Sequence, residues 1–191
     1  MRPALSSVEA LCGAGTGTRL PVPVVTQRLT LRTFQEDDAD SFSELMSDAD
    51  ATKYIGGTKS RSAAADSVRY MRDAFISRGW GTLAVALSDS RECIGYCGVR
   101  PLLNTPDVEL AFALKRSVWN RGYATEAAEA SLDVAFKYLS VDRVVATVYP
   151  ENLASIRVLT KLGMLRQGPI FGAWPNNTAL IYSLGRTAWR I

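Results

Sequence analysis

The chain has 191 residues, 47% of them hydrophobic, with a net charge of +3 and no histidine. That length suits one domain with a proper core and is short for two, and the composition excludes a disordered or fibrous chain. Without histidine there is no Ser-His-Asp or Cys-His catalysis, no HExxH metal site and no imidazole acid–base chemistry. An enzyme built on this chain works with carboxylates, hydroxyls, backbone dipoles or a cofactor.

Residues 1–24 are rich in Gly, Pro and Ala without a sustained period and read as an irregular arm, with the domain proper at 25–191. "RLTLRTF" (Arg28 to Phe34) alternates as a first strand. "EDDADSFSELMSD" reads as a helix with acidic residues in its first turn, where the dipole favours them. After the loop "YIGGTKSRS", the segment "SAAADSVRYMRDAFISRG" reads as a second amphipathic helix closed by Gly79. "WGTLAVALSD" and "RECIGYCGVRPL" are strand-like around the hairpin "SDSR", and "DVELAFALK" is another strand. A helix from about Gly122 to Leu139 carries Ala124, Ala127, Ala128, Ser131, Leu132, Ala135 and Leu139 at helical spacing. "DRVVATVYP" is a β-branched strand stopped by Pro150, and "NLASIRVLTKLG" is a short helix ending at Gly163. "MLRQGPIFG" and "NTALIYSLG" complete the order as two strands around "AWPNN". Seven strands and four helices, joined by both hairpins and helical crossovers, imply a single α/β domain with a mixed sheet.

No apolar run approaches the roughly 20 residues that span a bilayer, so no membrane association is expected. Ser6, Ser7 and Glu9 interrupt the apolar stretch a secretory signal needs, and the expected compartment is the cytoplasm. The basic residues, mostly arginine, are scattered rather than striped, which argues against a nucleic-acid partner. Arginine suits bidentate contacts with phosphate or carboxylate; a GC-rich genome would enrich it equally. Cys12, Cys93 and Cys97 form no disulfide framework. Cys93 and Cys97, four apart on one face of a strand, are expected about 13 Å from each other, too far to bridge, as small buried side chains. No metal site is expected.

Two glycine-rich stretches are set aside. "GAGTG" (Gly13 to Gly17) has the wrong spacing for a dinucleotide fingerprint and no preceding strand, and "GGTKS" (Gly56 to Ser60) breaks the Gly-Lys-Ser order of a phosphate loop. Asn176-Asn177-Thr178 is a nominal sequon without meaning in a cytoplasmic chain.

"WNRGYATEA" (Trp119 to Ala127) has a better context, a strand running through a short turn into a helix. The first turn of a helix has unpaired N–H groups and a partial positive charge that suit phosphate. Gly122 admits a ligand close to the backbone, Ala124 keeps the next position small and Arg121 adds charge. Anion binding and ordinary helix entry both remain open on the motif alone. In "YPENLASIRVLTKLGM" a second strand runs into a helix, with Asn152 as its cap. Two adjacent strands that each end at a helix start leave a cleft at their ends.

From Val25 to Trp189 the chain resembles the GNAT superfamily of N-acetyltransferases, and within it the ribosomal-protein N-terminal acetyltransferase (RimJ/RimL-like) branch. The resemblance is carried by "TQRLTLRTFQEDDADSF", "ECIGYCGVRPL", "VELAFAL", "WNRGYATEA" and "PENLASIRVLTKLGM", in the family's order and spacing. It implies an acetyl-CoA-dependent enzyme whose sheet splays between the fourth and fifth of the seven strands. The family's pyrophosphate signature falls on Trp119, Asn120, Arg121, Gly122, Tyr123 and Ala124, with Thr125 completing the turn. Trp119 departs from the superfamily's usual Arg or Gln but is common in the Rim-like branch.

The resemblance also assigns Phe112, Ala113 and Leu114 to the pantetheine arm and acetyl carbonyl, and Asn152 to pantetheine. The family's tyrosine acid is replaced by Leu159, leaving Ser155 to protonate the thiolate. Glu109 becomes the base for a primary amine that attacks directly in a ternary complex. For Glu109 the plain alternative is an ion-paired strand residue, and for Ser155 a hydroxyl bonded locally. The acceptor, a protein N-terminus or a small amine, is expected to meet the two early helices, the "YIGG" loop (Tyr54 to Gly57) and the last hairpin near Trp174. The alternative function is a non-catalytic acyl-CoA-binding or sensing domain, and a homodimer is compatible with the sequence.

Overall fold

The computed structural model describes residues 18–102, 105–174 and 177–189. Eight strands form one sheet in the order β1-β2-β3-β4-β5-β6-β8-β7. β1 (Val24–Val25) is an additional short strand, and β2 (Leu29–Arg32), β3 (Thr82–Leu87), β4 (Cys93–Pro101), β5 (Val108–Leu114), β6 (Arg143–Val148), β7 (Leu165–Trp174) and β8 (Asn177–Gly185) are the seven expected from sequence. The α-helices are α1 (Asp38–Ser47), α2 (Ala49–Thr52), α3 (Arg61–Arg78), α4 (Tyr123–Tyr138) and α5 (Leu153–Lys161). α2 is the addition: a single turn capped by the Asp48 side chain, too short to show a period. β1 and Leu20, which is 2% exposed and donates its amide to Gly79 O, place residues from 20 onward on the domain. Residues 1–17, including "GAGTG", lie outside the described residues, as does Asn176 of the nominal sequon.

Neighbouring strands are antiparallel except β5 and β6, a parallel pair that needs the α4 crossover between them. α4 packs one face of the sheet with Ala127, Ala128, Leu132, Ala135 and Phe136 fully buried. Its stripe is made of small residues so that the helix lies close to the strands, and Phe136 alone removes an area from water worth roughly 1.5–3 kcal/mol. On the other face α1 and α3 bury Phe42, Leu45, Met46, Ala64 and Val68 against Phe34, Ala84 and Cys93. Asp38 in the first turn of α1 does more than favour the dipole. Its carboxylate accepts from both Arg32 Nη1 and Nη2, at 2.7 and 2.8 Å, and fixes α1 to β2. That hydrogen bond raises the Arg32 pKa against the cost of burial.

One local expectation is corrected. Cys93 and Cys97 lie on opposite faces of the sheet, Cys93 under α1 and Cys97 under α4 beside Ser131. The cause is an irregularity in β4: Val85 pairs with Gly95 and Ala86 with Cys93, so Ile94 is skipped and the alternation slips by one. Gly95 has φ +149°, and a Cβ there would sit 2.1 Å from Ala113 O. Both thiols are buried and free. Burial pushes Cys93 up to about 11 and Cys97 up to about 12, so neither supplies a thiolate nucleophile.

Candidate active site

The functional geometry follows from β5. Its β4 edge is paired from Val108 to Leu114, but its β6 edge pairs only at Val108↔Val144 and Glu109↔Val145. Beyond Glu109 the two strands part, at the position expected for the splay. A cleft opens there, lined by Glu109, Leu110, Ala111 and Phe112 from β5 and by Ala146, Thr147 and Val148 from β6. Tyr149, Asn152, Ser155 and Leu159 complete the lining together with Tyr54, Ile55, Tyr96 and Arg100.

Glu109 is 3% exposed yet lines this cleft. Its Oε2 accepts from Arg100 Nε at 2.9 Å, and its Oε1 accepts from Thr147 Oγ1. Each carboxylate oxygen keeps a further lone-pair direction. Thus the ion-paired character foreseen for Glu109 and its place in the cleft are both present. At Arg100 the burial that disfavours its charge is outweighed by the fields of Glu109 and Tyr96, and its pKa is raised. Arg100 and Thr147 were not singled out from sequence. The signal for Arg100 was strand register: β4 and β5 pair Arg100 directly with Glu109.

Asn152 caps α5, its Oδ1 accepting from the Ser155 amide at 3.1 Å. Ser155 Oγ makes no hydrogen bond among the described residues and lines the cleft, so the locally bonded alternative is not what the structure holds. Leu159, standing where the family has tyrosine, is buried in the cleft floor. Tyr54 of the "YIGG" loop donates from its hydroxyl to Glu151 O at 3.3 Å and meets the Tyr149 ring at 5.8 Å. This brings the loop across the start of α5. The side chain of Trp174 lies outside the described residues. "GGTKS" serves the loop itself: Lys59 donates to Ser67 Oγ and Ser60 caps α3.

Ala113 and Leu114 continue β5 past the cleft towards the turn that carries Trp119 to Thr125. Leu114 O accepts from Trp119 Nε1 at 2.8 Å. The next residue, Lys115, is buried and anchors the strand end. Its Nζ donates to Ser41 Oγ at 2.6 Å, Glu44 Oε2 at 2.7 Å and Glu92 Oε1 at 2.9 Å. Burial opposes its charge, but Glu44 and Glu92 prevail and its pKa is raised. After a 3-10 turn at Arg116–Val118, Asn120 and Gly122 adopt left-handed backbone with φ 60° and 81°. Gly122 is the N-cap of α4 and provides no side-chain cap. Among the described residues, no amide from Asn120 to Thr125 donates to a protein acceptor. These are six N–H groups around one turn, at the positive end of a 16-residue helix.

An eight-stranded mixed sheet parted at β5 and β6, with free amides at the α4 start and a carboxylate in the parting, is an architecture of the GNAT type. Comparison agrees: the acetyltransferase (GNAT) domain family matches residues 28–165, and the chain belongs to that family. An uncharacterized N-acetyltransferase, p20, of Bacillus licheniformis is 32% identical over 146 residues, covering 75% of this chain and 82% of that protein. The crystal structure of a GNAT-family acetyltransferase from Bacillus anthracis superposes with a TM-score of 0.77 at 27% identity, over 86% of this chain and 98% of that one. A RimL ribosomal-protein acetyltransferase solved with coenzyme A shares the fold, with a TM-score of 0.69 at 16% identity over 87% of this chain and 98% of that one. The protein is therefore an N-acetyltransferase, and acetyl-CoA is the acetyl donor of its family. Among the described residues, no helix is long and apolar enough to cross a membrane.

Proposed function

We propose that the enzyme moves the acetyl group of acetyl-CoA directly onto a primary amine held beside Glu109, in a ternary complex. The observation that carries this reading is the meeting of Glu109, Ser155 and the unpaired edge of β5 in one cleft. The amides of Asn120 to Thr125 suit the pyrophosphate, and Arg121 adds charge at the same turn. The free edge of β5 at Phe112, Ala113 and Leu114 suits the pantetheine arm, which carries its own amides. Backbone N–H groups near Ala113 or Leu114 stabilise the developing oxyanion.

Glu109 accepts the proton of the attacking amine, directly or through water, and Ser155 donates one to the departing thiolate. Among the described residues, the two cysteines, Cys93 and Cys97, are buried with thiols held far above neutral pH, which speaks against an acetyl-enzyme on either. A protein N-terminus and a small amine are both acceptors of the right chemistry; that Tyr54 and Ile55 line the cleft supports a part for their loop in contacting either.

The test is thiol release from acetyl-CoA against a panel of peptides and amines. Turnover with any member supports the reading; binding without turnover on all of them assigns an acyl-CoA sensor. Glu109→Gln should lower kcat by about 10²–10⁴-fold and alter the pH–rate profile. An unchanged profile would remove Glu109 from the role of base.

A further inference from the structure

Behind the turn that offers its amides sits a charged assembly that no part of the transfer chemistry uses. Arg28, just before β2, and Glu126, in the first turn of α4, are 98 positions apart. The Glu126 carboxylate accepts from Thr26 Oγ1 at 2.6 Å, from the Arg28 amide at 2.9 Å and from Arg28 Nε at 2.7 Å. Arg28 Nη2 adds a contact with Glu126 Oε2 at 2.6 Å. The remaining guanidinium nitrogen, Nη1, donates to Arg121 O at 2.9 Å. The guanidinium also lies 4.6 Å over the Tyr123 ring, and Nη2 is 3.4 Å from where a Gly122 Cβ would stand.

We infer that Arg28 is a positioning residue for acetyl-CoA: it aims the phosphate-binding amides of α4 and cancels the charge of Glu126 beside them. The aiming follows from the geometry of one peptide unit. The carbonyl of Arg121 and the N–H of Gly122 belong to the same planar trans group and point in opposite directions. Holding the carbonyl on the Arg28 side turns the Gly122 N–H to the open side of the turn. Gly122, with its left-handed φ and no Cβ, has many other orientations available, so the hydrogen bond selects one.

The cancellation follows from charge. A carboxylate suits the positive end of a helix, yet a phosphate drawn to the same end is repelled by it. Glu126 is tolerated there because Arg28 and Thr26 occupy its oxygens. One planar guanidinium with donors on three nitrogens does both jobs; an ammonium, a point charge, does one. This inference rests on the reading of the turn as the pyrophosphate site.

The experiment is calorimetric titration of the full-length protein with acetyl-CoA, paired with steady-state kinetics and a melting curve for each variant. Arg28→Met should weaken acetyl-CoA binding about ten-fold and raise KM for acetyl-CoA in step, with kcat within about two-fold of the parent. Adding Glu126→Gln to Arg28→Met should recover part of the lost affinity, the part due to charge. Arg28→Lys should fall between, at about three-fold. A folded Arg28→Met protein that binds acetyl-CoA like the parent overturns the inference and leaves the transferase reading intact. A parent protein that does not bind acetyl-CoA overturns both. Should Arg28→Met not fold, Arg28→Lys decides in the same way, weaker binding supporting the inference and unchanged binding ending it.

Discussion

The two helix starts beside the cleft face the same physical problem and solve it in opposite ways. Each presents amides with no partner inside its own helix. α5 satisfies one of them at once, through the Asn152 side chain on the Ser155 amide. α4 begins at a left-handed glycine with no side-chain cap, and its amides stay open. A cap on α4 would compete with an incoming phosphate for the same donors. The capped helix instead offers a side chain, Ser155 Oγ, held in place by the cap next to it. In the mechanism proposed above, cofactor binding and proton donation divide between a helix that exposes its backbone and one that hides it.

Breaking the division on the α5 side should have the largest effect. Ser155→Ala removes the hydroxyl and leaves the cap, since the cap uses the Ser155 amide; kcat should fall about 100-fold with acetyl-CoA affinity unchanged. Asn152→Ala does the reverse, costing about 1 kcal/mol of stability and lowering kcat only as far as Ser155 is displaced. Equal kinetic losses in the two variants, with no change in melting temperature for Asn152→Ala, would erase the distinction between cap and donor.

On the α4 side the obvious substitution is the wrong probe. Sequence suggests that Gly122→Val would weaken acetyl-CoA binding far more than the fold. With φ at 81°, however, a β-branched residue pays roughly 1–2 kcal/mol in the empty protein as well. Comparable losses in binding and stability therefore no longer speak for an ordinary helix start. Ala124→Pro is cleaner. It removes one first-turn amide that has no protein acceptor, so no bond of the helix itself is lost. Losing one hydrogen bond to a charged group, about 1.5 kcal/mol, should weaken acetyl-CoA binding roughly ten-fold, with the melting temperature within a few degrees of the parent. Unchanged affinity would show that the pyrophosphate lies elsewhere.

These contrasts also mark what could be read from the chain. Strand and helix order was legible because "RLTLRTF" and the alanine stripe of α4 have unambiguous periods. The candidate site residues Glu109, Phe112, Asn152 and Ser155, named from motif order, line one cleft. What was not legible depended on register or on long separation. The opposite faces of Cys93 and Cys97 follow from one skipped residue, Ile94, whose only trace in sequence is Gly95. The Arg100 partnership with Glu109 needs the exact pairing of two strands. Arg28 and Glu126 each look like ordinary surface charges, and only the packing of α4 against β2 makes them a pair.

The smallest effect expected is a pH dependence confined to the α4 start. Glu126 is partly buried, which alone would raise its carboxyl pKa. The hydrogen bonds from Thr26 and Arg28 and the Arg28 charge outweigh that burial and hold it below the ordinary range. A carboxyl depressed in the folded state binds fewer protons there than in the unfolded chain, so it adds stability above the unfolded value of about 4.3. That contribution fades as pH falls through the depressed folded value. The parent should therefore melt above Glu126→Gln at pH 6, by on the order of 2–4 °C for a domain of this size. The gap should close as the pH is lowered from 6 past the unfolded value and on through the depressed folded one. No acidic residue stands in the first turn of α5, so Asn152→Ala should lower the melting temperature by the same amount at both ends of that range. A gap for Glu126→Gln that persists undiminished at low pH would mean that shape, not charge, ties Glu126 to Arg28.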